Sequence, residues 1–198
     1  MMSFEEFLKK IVAALEAAGV EYLLGGALAA WAWGEPRATQ DIDLVVNLPP
    51  EKVNALSKEL EKIQIYVPAE IMLDILAEPR ADLAINAIHG GTGFKAEFFP
   101  LRAGDDLRAS ALARKVQVNL GPSIGKIFVH SPEDLIIYKL LYFSQSQQTK
   151  HIRDIGAIYQ ARKATLDGEY IQDWAGILGV RGLLDEILSQ LGYTGATG

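Results

Sequence analysis

The sequence predicts an α+β protein of the α/β type, with a mixed β-sheet flanked by helices and then a helical C-terminal half. Three observations predict it. Short apolar runs bounded by glycine and proline alternate with stretches of helical periodicity as far as about residue 130. Gly90-Gly91-Thr92-Gly93 joins two of those runs in the manner of a hairpin turn. From Ser131 onward the strand signal stops and only helical patterns continue, to about Leu191. The expected organisation is therefore an α/β core over residues 1–130, a helical region over 131–191 packed on it, and a flexible glycine-rich tail over 192–198.

Taken in order, Ser3-Phe4-Glu5-Glu6 forms a capping box, and Phe4, Phe7, Leu8, Ile11, Leu15 and Ala18 recur at helical spacing until Gly19 stops the helix. Val20–Leu24 is a short buried strand ending at Gly25-Gly26. Ala27–Trp33 follows as a helix tucked into the core. Asp41–Leu48 is the next strand, closed by Pro49-Pro50. Glu51–Ile63 and Pro68–Ala77 are helical. Ala81–His89 and Phe94–Phe99 are strands on either side of the glycine-rich turn. A helix over Asp105–Ala113 precedes strands at Lys115–Leu120 and Lys126–His130. Ser131-Pro132-Glu133-Asp134 is a strong helix start, with an N-cap serine, proline at the first helical position and a carboxylate at the third.

The bulk numbers narrow the function classes. A chain of 198 residues with 49% hydrophobic and 22% charged residues can bury a sizeable core. A net charge of −6 does not advertise a broad grip on nucleic acid, whose phosphates demand clustered Lys and Arg. With no cysteine, disulfides, thiolate metal sites and thiol nucleophiles are excluded. The N-terminal segment is acidic where a signal peptide is basic, and the longest uncharged stretch, Tyr22–Gly34, is too short to span a bilayer. A cytoplasmic protein with no membrane association is expected.

The chemistry concentrates between Gly25 and Leu44. In a strand, residues two apart share a face, so Asp41 and Asp43 lie on one side while Ile42 and Leu44 enter the core. Two carboxylates held that close require a compensating cation, and hard oxygen donors select Mg²⁺ or its relative Mn²⁺. A pair of such ions roughly 3.5–4 Å apart can clamp the attacking and leaving oxygens of a phosphoryl displacement. Gly25-Gly26, between a strand and a helix N-terminus, lets backbone N–H groups approach a phosphate without a Cβ in the way. The bland alternatives are a solvated Asp-x-Asp and a tight strand-to-helix turn.

Gly25-Gly26 followed by Arg37-Ala38-Thr39-Gln40-Asp41-Ile42-Asp43 resembles the signature of the DNA polymerase β-like nucleotidyltransferase superfamily. The resemblance is nearest to its bacterial uncharacterised and abortive-infection, or toxin–antitoxin-associated, branch. It extends through Ser131–Leu140 and His151–Ile155, covering residues 20–160. It implies a nucleoside triphosphate as substrate, held by Gly25 and Gly26, with Asp41 and Asp43 as catalytic metal ligands. Glu97 stands where the superfamily usually shows the third Asp, and Gly26 where many active members have Ser. Glu97 is thereby a third catalytic ligand, with ion pairing to its same-face neighbour Lys95 as the alternative. Arg37 and Thr39 fall within the signature as nucleotide-binding residues, or else shape the loop entering the aspartate strand. Lys139 is implied to reach the nucleotide phosphates, with an ion pair to Asp154 as its bland alternative.

The implied reaction transfers a nucleoside monophosphate from an NTP to an acceptor hydroxyl, with Mg²⁺, releasing pyrophosphate. Protein, tRNA and small-molecule acceptors all stay open, as does a toxin or antitoxin partner protein. The competing expectation is a weakly active or inactive nucleotide-binding, antitoxin-like module of the same fold. His89, His130, His151 and Arg153 are read as structural, and Trp31 and Trp33 as core or groove wall.

Overall fold

The computed structural model describes residues 2–34, 39–80 and 82–193. These fall into two compact units, one drawn from Met1–Leu28 and Ala38–Val129, the other from Ala29–Arg37 and His130–Gly198.

The first unit is built on a six-stranded mixed sheet. Helix α1 (Phe4–Ala17) opens with the expected capping box: the Ser3 hydroxyl accepts from the Glu6 amide at 3.2 Å, and the Ser3 amide donates to the Glu6 carboxylate at 2.8 Å. Its Phe7, Leu8, Ile11 and Leu15 are fully buried, one stripe at helical spacing. Strand β1 (Glu21–Leu24) leads into α2 (Gly26–Trp33), and β2 (Asp41–Asn47) is followed by α3 (Pro50–Lys62) and α4 (Ala69–Ala77). Then come β3 (Ile85–Ile88), β4 (Lys95–Pro100), α5 (Asp106–Ala113), β5 (Val116–Asn119) and β6 (Lys126–Val129). The spatial order is β3-β4-β2-β1-β6-β5. Antiparallel hairpins, β3–β4 and β5–β6, form the two edges; β2 pairs antiparallel with β1 and parallel with β4, and β1 pairs parallel with β6. The predicted mixed sheet flanked by helices is therefore the observed fold.

Two local expectations change. The strand expected over 81–89 contracts to Ile85–Ile88, with Ala81 outside the described residues. The reason is Arg102, whose guanidinium collects the carbonyls of Ile75, Leu76 and Leu83 at 3.1–3.4 Å, so the approach to β3 is held as a loop rather than in the ladder. Helix α2 is not uniformly core. Ala27 to Ala30 are buried, but Trp31 is 39% exposed.

The second unit is helical. Its centre is α6 (Pro132–Ser146), packed on α7 (Lys150–Arg162), α8 (Gly168–Ile177) and α9 (Arg181–Gln190). Leu135, Ile136, Ile137, Tyr138 and Leu140 are all buried, so α6 is covered on nearly every side, as a central helix must be. Ser131 caps it by accepting from the Asp134 amide at 3.0 Å. The later part of α2 belongs to this unit, where the Trp33 indole N–H donates to the His130 carbonyl at 2.7 Å and Arg162 lies over the Trp33 ring. Of the tail expected from Gly192, residues 194–198 lie outside the described residues. Among the described residues no helix is long and apolar enough to cross a membrane.

Candidate functional site

The site begins with the pleat of β2. Ile42 and Leu44 are fully buried, while Asp41 and Asp43 alternate with them on the opposite, half-exposed face. The parallel register places Asp41 beside Lys95 and Asp43 beside Glu97, on the face of β4 from which Ala96 and Phe98 turn away into the core. Thus the two expected metal carboxylates and the expected third one share one surface of two neighbouring strands. Further along the same face of β4, Arg108 of α5 lies over the Phe99 ring at 5.8 Å.

The glycine turn meets the same face. The Gly25 amide donates to the Asp43 carbonyl at 2.8 Å, extending the β1–β2 ladder by one step. Gly26 then starts α2 at φ +60°, in the left-handed region that favours glycine. A Cβ there would sit 1.8 Å from Asp43 Oδ2 and 2.7 Å from its Cγ. Glycine is thus required twice over, by its backbone angle and by the carboxylate that occupies the space. The absence of the serine hydroxyl at this position follows: Asp43 itself fills the room a serine side chain would need. Negative charge beside a helix start is favoured by the dipole and the free amides of the first turn.

Lys95 bridges Glu97 and Asp41 on this face. Its Nζ lies 3.1 Å from Glu97 Oε1 and 3.5 Å from Asp41 Oδ1, with the lysine side chain 30% exposed. The hydrogen bond to Glu97 holds the ammonium above its ordinary pKa, helped by the charges of Glu97 and Asp41 and opposed by partial desolvation. The pairing of Glu97 with Lys95 is the bland reading of Glu97, and it is realised; the bridge onward to Asp41 was not anticipated. The carboxylates fit a hard divalent cation in kind, since all are oxygen donors on one surface and that surface already draws in an ammonium. They are not gathered as a ligand set: among the described residues no group of three or more His, Cys, Asp or Glu side chains could hold a metal ion.

Thr39 shapes the loop. Its hydroxyl donates to the Asp41 carbonyl at 3.2 Å and accepts from the Asp41 amide at 3.4 Å, fixing the entry to β2. Arg37 lies outside the described residues. Lys139 is in the second unit, on α6, where it is 2% exposed and its Nζ pairs with Asp154 of α7 at 2.7 Å. That buried ion pair is the bland alternative considered for it.

The histidines fall where packing puts them. His89 Nδ1 lies 2.9 Å from the Thr92 hydroxyl and accepts from the Thr92 amide at 3.2 Å, closing the β3–β4 turn. His130 packs on Tyr138, and His151 on Tyr142, so both serve inter-element contacts of the second unit. Sequence reasoning did not find the buried polar group at the start of α6, where Asp134 accepts from the Ser131 hydroxyl at 2.7 Å and the Tyr170 hydroxyl at 2.6 Å. Its only sequence signal is the cap, because Tyr170 arrives from another helix.

No protein-family model matches the chain, and no curated protein matches it. Among solved structures it is similar to the solution structure of the antibiotic-resistance factor ANT(2'')-Ia, at 20% identity over 98% of this chain and 97% of that one, with a TM-score of 0.59. It is similar, too, to the crystal structure of ANT(2'')-Ia in complex with adenylyl-2''-tobramycin, at 19% identity, 90% and 98% coverage and a TM-score of 0.60. An antigenic nucleotidyltransferase-like protein from Paracoccidioides brasiliensis matches at 17% identity, 93% and 91% coverage and a TM-score of 0.54. At these identities the likeness is one of fold: the chain has a fold shared with nucleotidyltransferases over almost its whole length.

Proposed function

We propose that this protein is a nucleotidyltransferase that moves a nucleoside monophosphate from an NTP to an acceptor hydroxyl and releases pyrophosphate. The observation that carries the reading is the placement of Asp41, Asp43 and Glu97 on one face of the neighbouring strands β2 and β4, beside a glycine turn that opens α2. The fold likeness supports it.

In this reading Asp41 and Asp43 hold Mg²⁺ or Mn²⁺, with Glu97 as the third carboxylate. Such an ion, when bound, supplies charge stabilisation to the phosphates and to the oxygens that enter and leave. The amides of Gly25, Gly26 and the first turn of α2 donate toward phosphate oxygens, using the same positive end that now accommodates Asp43. The acceptor oxygen bonds to the α-phosphorus as its bond to the bridging oxygen of the departing pyrophosphate breaks, and the acceptor proton passes to the Glu97 carboxylate. Thr39 contributes by holding Asp41 in register. Arg37 and Lys139 are the further nucleotide-binding residues of this proposal.

For the acceptor we favour a small molecule over tRNA or protein. The net charge of −6 disfavours an RNA surface, and one neighbour was solved with adenylyl-2''-tobramycin. The proposed site of action is the cytoplasm, where NTP is abundant. The test is pyrophosphate release with each NTP and a panel of hydroxylated, cationic small molecules. Turnover that vanishes in Asp43→Asn supports the reading, and turnover that persists in that variant sinks it.

A second reading has its own observation. Asp43 is lodged at Gly26 and Glu97 is held by Lys95, a self-satisfied arrangement that also suits a nucleotide-binding, antitoxin-like module with a partner protein and no turnover. NTP binding without pyrophosphate release would favour it.

A further inference from the structure

The glycine-rich β3–β4 turn has no part in the reaction just proposed, and one nitrogen of its histidine is left unused. We propose that this turn, the end of α3 and the middle of α1 form a binding site for a small phosphate-bearing anion, on the face of the sheet opposite the carboxylates. The inference goes beyond the transferase reading and stands or falls without it.

Within the first unit these segments enclose a cavity of about 310 Å³, lined by Lys10, Lys62, Gln64, His89, Gly91 and Thr92 and by no acidic residue among those described. A hollow with two ammonium groups and no carboxylate stands apart in a chain of net charge −6. Its side of the sheet is set by the pleat. Phe94 packs on Phe4 and Phe7 of α1, and the His89 ring lies against Phe7. Lys95 and Glu97, one and three residues beyond Phe94, face the other way with Asp41 and Asp43.

The cavity is a set of donors without an acceptor. His89 is 6% exposed, and its Nδ1 accepts from the Thr92 amide at 3.2 Å, so in the neutral ring the proton sits on Nε2. That N–H has no acceptor among the described residues, and the little of the ring that stays exposed opens on the cavity it lines. The Gly91 amide likewise donates to no described residue. Lys62 is held by Glu59 at 2.6 Å, whereas Lys10 has no carboxylate partner among the described residues. Gln64 is the second, independent sign of a ligand. Helix α3 ends in a Schellman motif, the Ile65 amide donating to the Leu60 carbonyl at 3.1 Å and the Gln64 amide to the Glu61 carbonyl at 3.0 Å. The left-handed position of that motif usually belongs to glycine, and here Gln64 holds it at φ +63°. A side chain kept there at a conformational cost, and lining the cavity, implies a use for its amide. Lys10, Gln64, His89 and Gly91 thus bring N–H donors from three segments. A carboxylate has two oxygens in one plane, whereas the tetrahedral oxygens of a phosphate can meet donors from several directions. The volume is at the lower end of the ~300–1,000 Å³ of ligand cavities, so it has room for a phosphate with a short carbon skeleton.

The experiment titrates the full chain, carrying isotope-labelled histidine, with inorganic phosphate and separately with glycerol phosphate, to about 10 mM at constant ionic strength, and follows the imidazole nitrogens by NMR. The expected result is saturable movement of the His89 signals alone, with His130 and His151 of the second unit unmoved. Lys10→Met should weaken binding about tenfold. Gln64→Gly should weaken it about threefold or more, yet leave the unliganded Tm at or above that of wild type, because glycine suits the backbone angle there. Lys9→Met removes the same charge from outside the cavity and should leave the affinity unchanged. Tighter binding of the ester than of phosphate supports a site that takes the carbon skeleton too, and equal binding supports a site for the phosphate group alone. No movement of His89 with either probe overturns the proposal, as does equal weakening by Lys9→Met and Lys10→Met, which would reduce the effect to bulk charge.

Discussion

Replacing Gly26 with serine introduces the residue that many active members of the superfamily resembled by the Gly25–Asp43 segment carry, yet here it should weaken the protein. The new Cβ would meet Asp43 Oδ2 at 1.8 Å, Cγ at 2.7 Å and Cβ at 3.1 Å, so moving only the far end of the carboxylate does not relieve it; the whole Asp43 side chain must rotate. Gly26 is also at φ +60°, where an L-residue pays about 1–2 kcal/mol. Forcing Asp43 off its preferred rotamer adds about 0.5–1.5 kcal/mol. The sum is about 1.5–3.5 kcal/mol, which for a chain of this length lowers Tm by about 3–14 °C at roughly 2–4 °C per kcal/mol. Urea and thermal melts measure it directly. A double-mutant cycle isolates the clash: in an Asp43→Ala background, Gly26→Ser should cost only the backbone share, about 1–2 kcal/mol. If Gly26→Ser melts within about 0.5 kcal/mol of wild type, a value typical of an inconsequential surface change, the close seating of Asp43 on Gly26 is wrong.

Three further outcomes are expected. Lys139→Met should cost about 3–5 kcal/mol, because it leaves the Asp154 charge buried without its ammonium; Lys139→Met combined with Asp154→Leu should recover most of the loss, and urea titrations compare the two. Burial pushes the Tyr159 hydroxyl up to about 12 and raises Tyr22 as well, so both favour the neutral phenol in the folded chain. Their contribution is intact below the unfolded value near 10 and is lost as pH rises through about 10–12, so Tm should fall over that window and fall less in Tyr159→Phe. Asp43→Asn should lower any pyrophosphate release by about a hundredfold or more, since such chemistry rests on positioning and electrostatic stabilisation.

Much of the architecture was legible because it is written in short-range patterns. The α1 capping box, the Ser131-Pro132 start of α6 and the β3–β4 turn are each decided by residues within a few positions of one another. Where an element depended on a distant side chain, the reading slipped. The shortened β3 is set by Arg102, which approaches the carbonyl of Leu83 from beyond β4, and no local propensity in that segment announces it. The half-exposed Trp31 is a similar case, since an apolar helix says that it is covered but not on which side.

The same division runs through the candidate site. By itself the sequence determined that Asp41 and Asp43 share a face, that Gly25-Gly26 begins a helix, and that Lys95 and Glu97 are same-face neighbours, because the two-residue period of a strand is a local property of the backbone. Only the tertiary structure decided which strand lies beside β2 and in what register. That choice puts Lys95 against Asp41 as well as Glu97, and it lays the Asp43 carboxylate on Gly26. Likewise it joined Lys139 to Asp154 across two helices, a partner that sequence spacing alone does not select. Register between strands and pairing between helices are settled by how the whole apolar surface closes, a sum over many distant contacts that no single stretch of sequence contains.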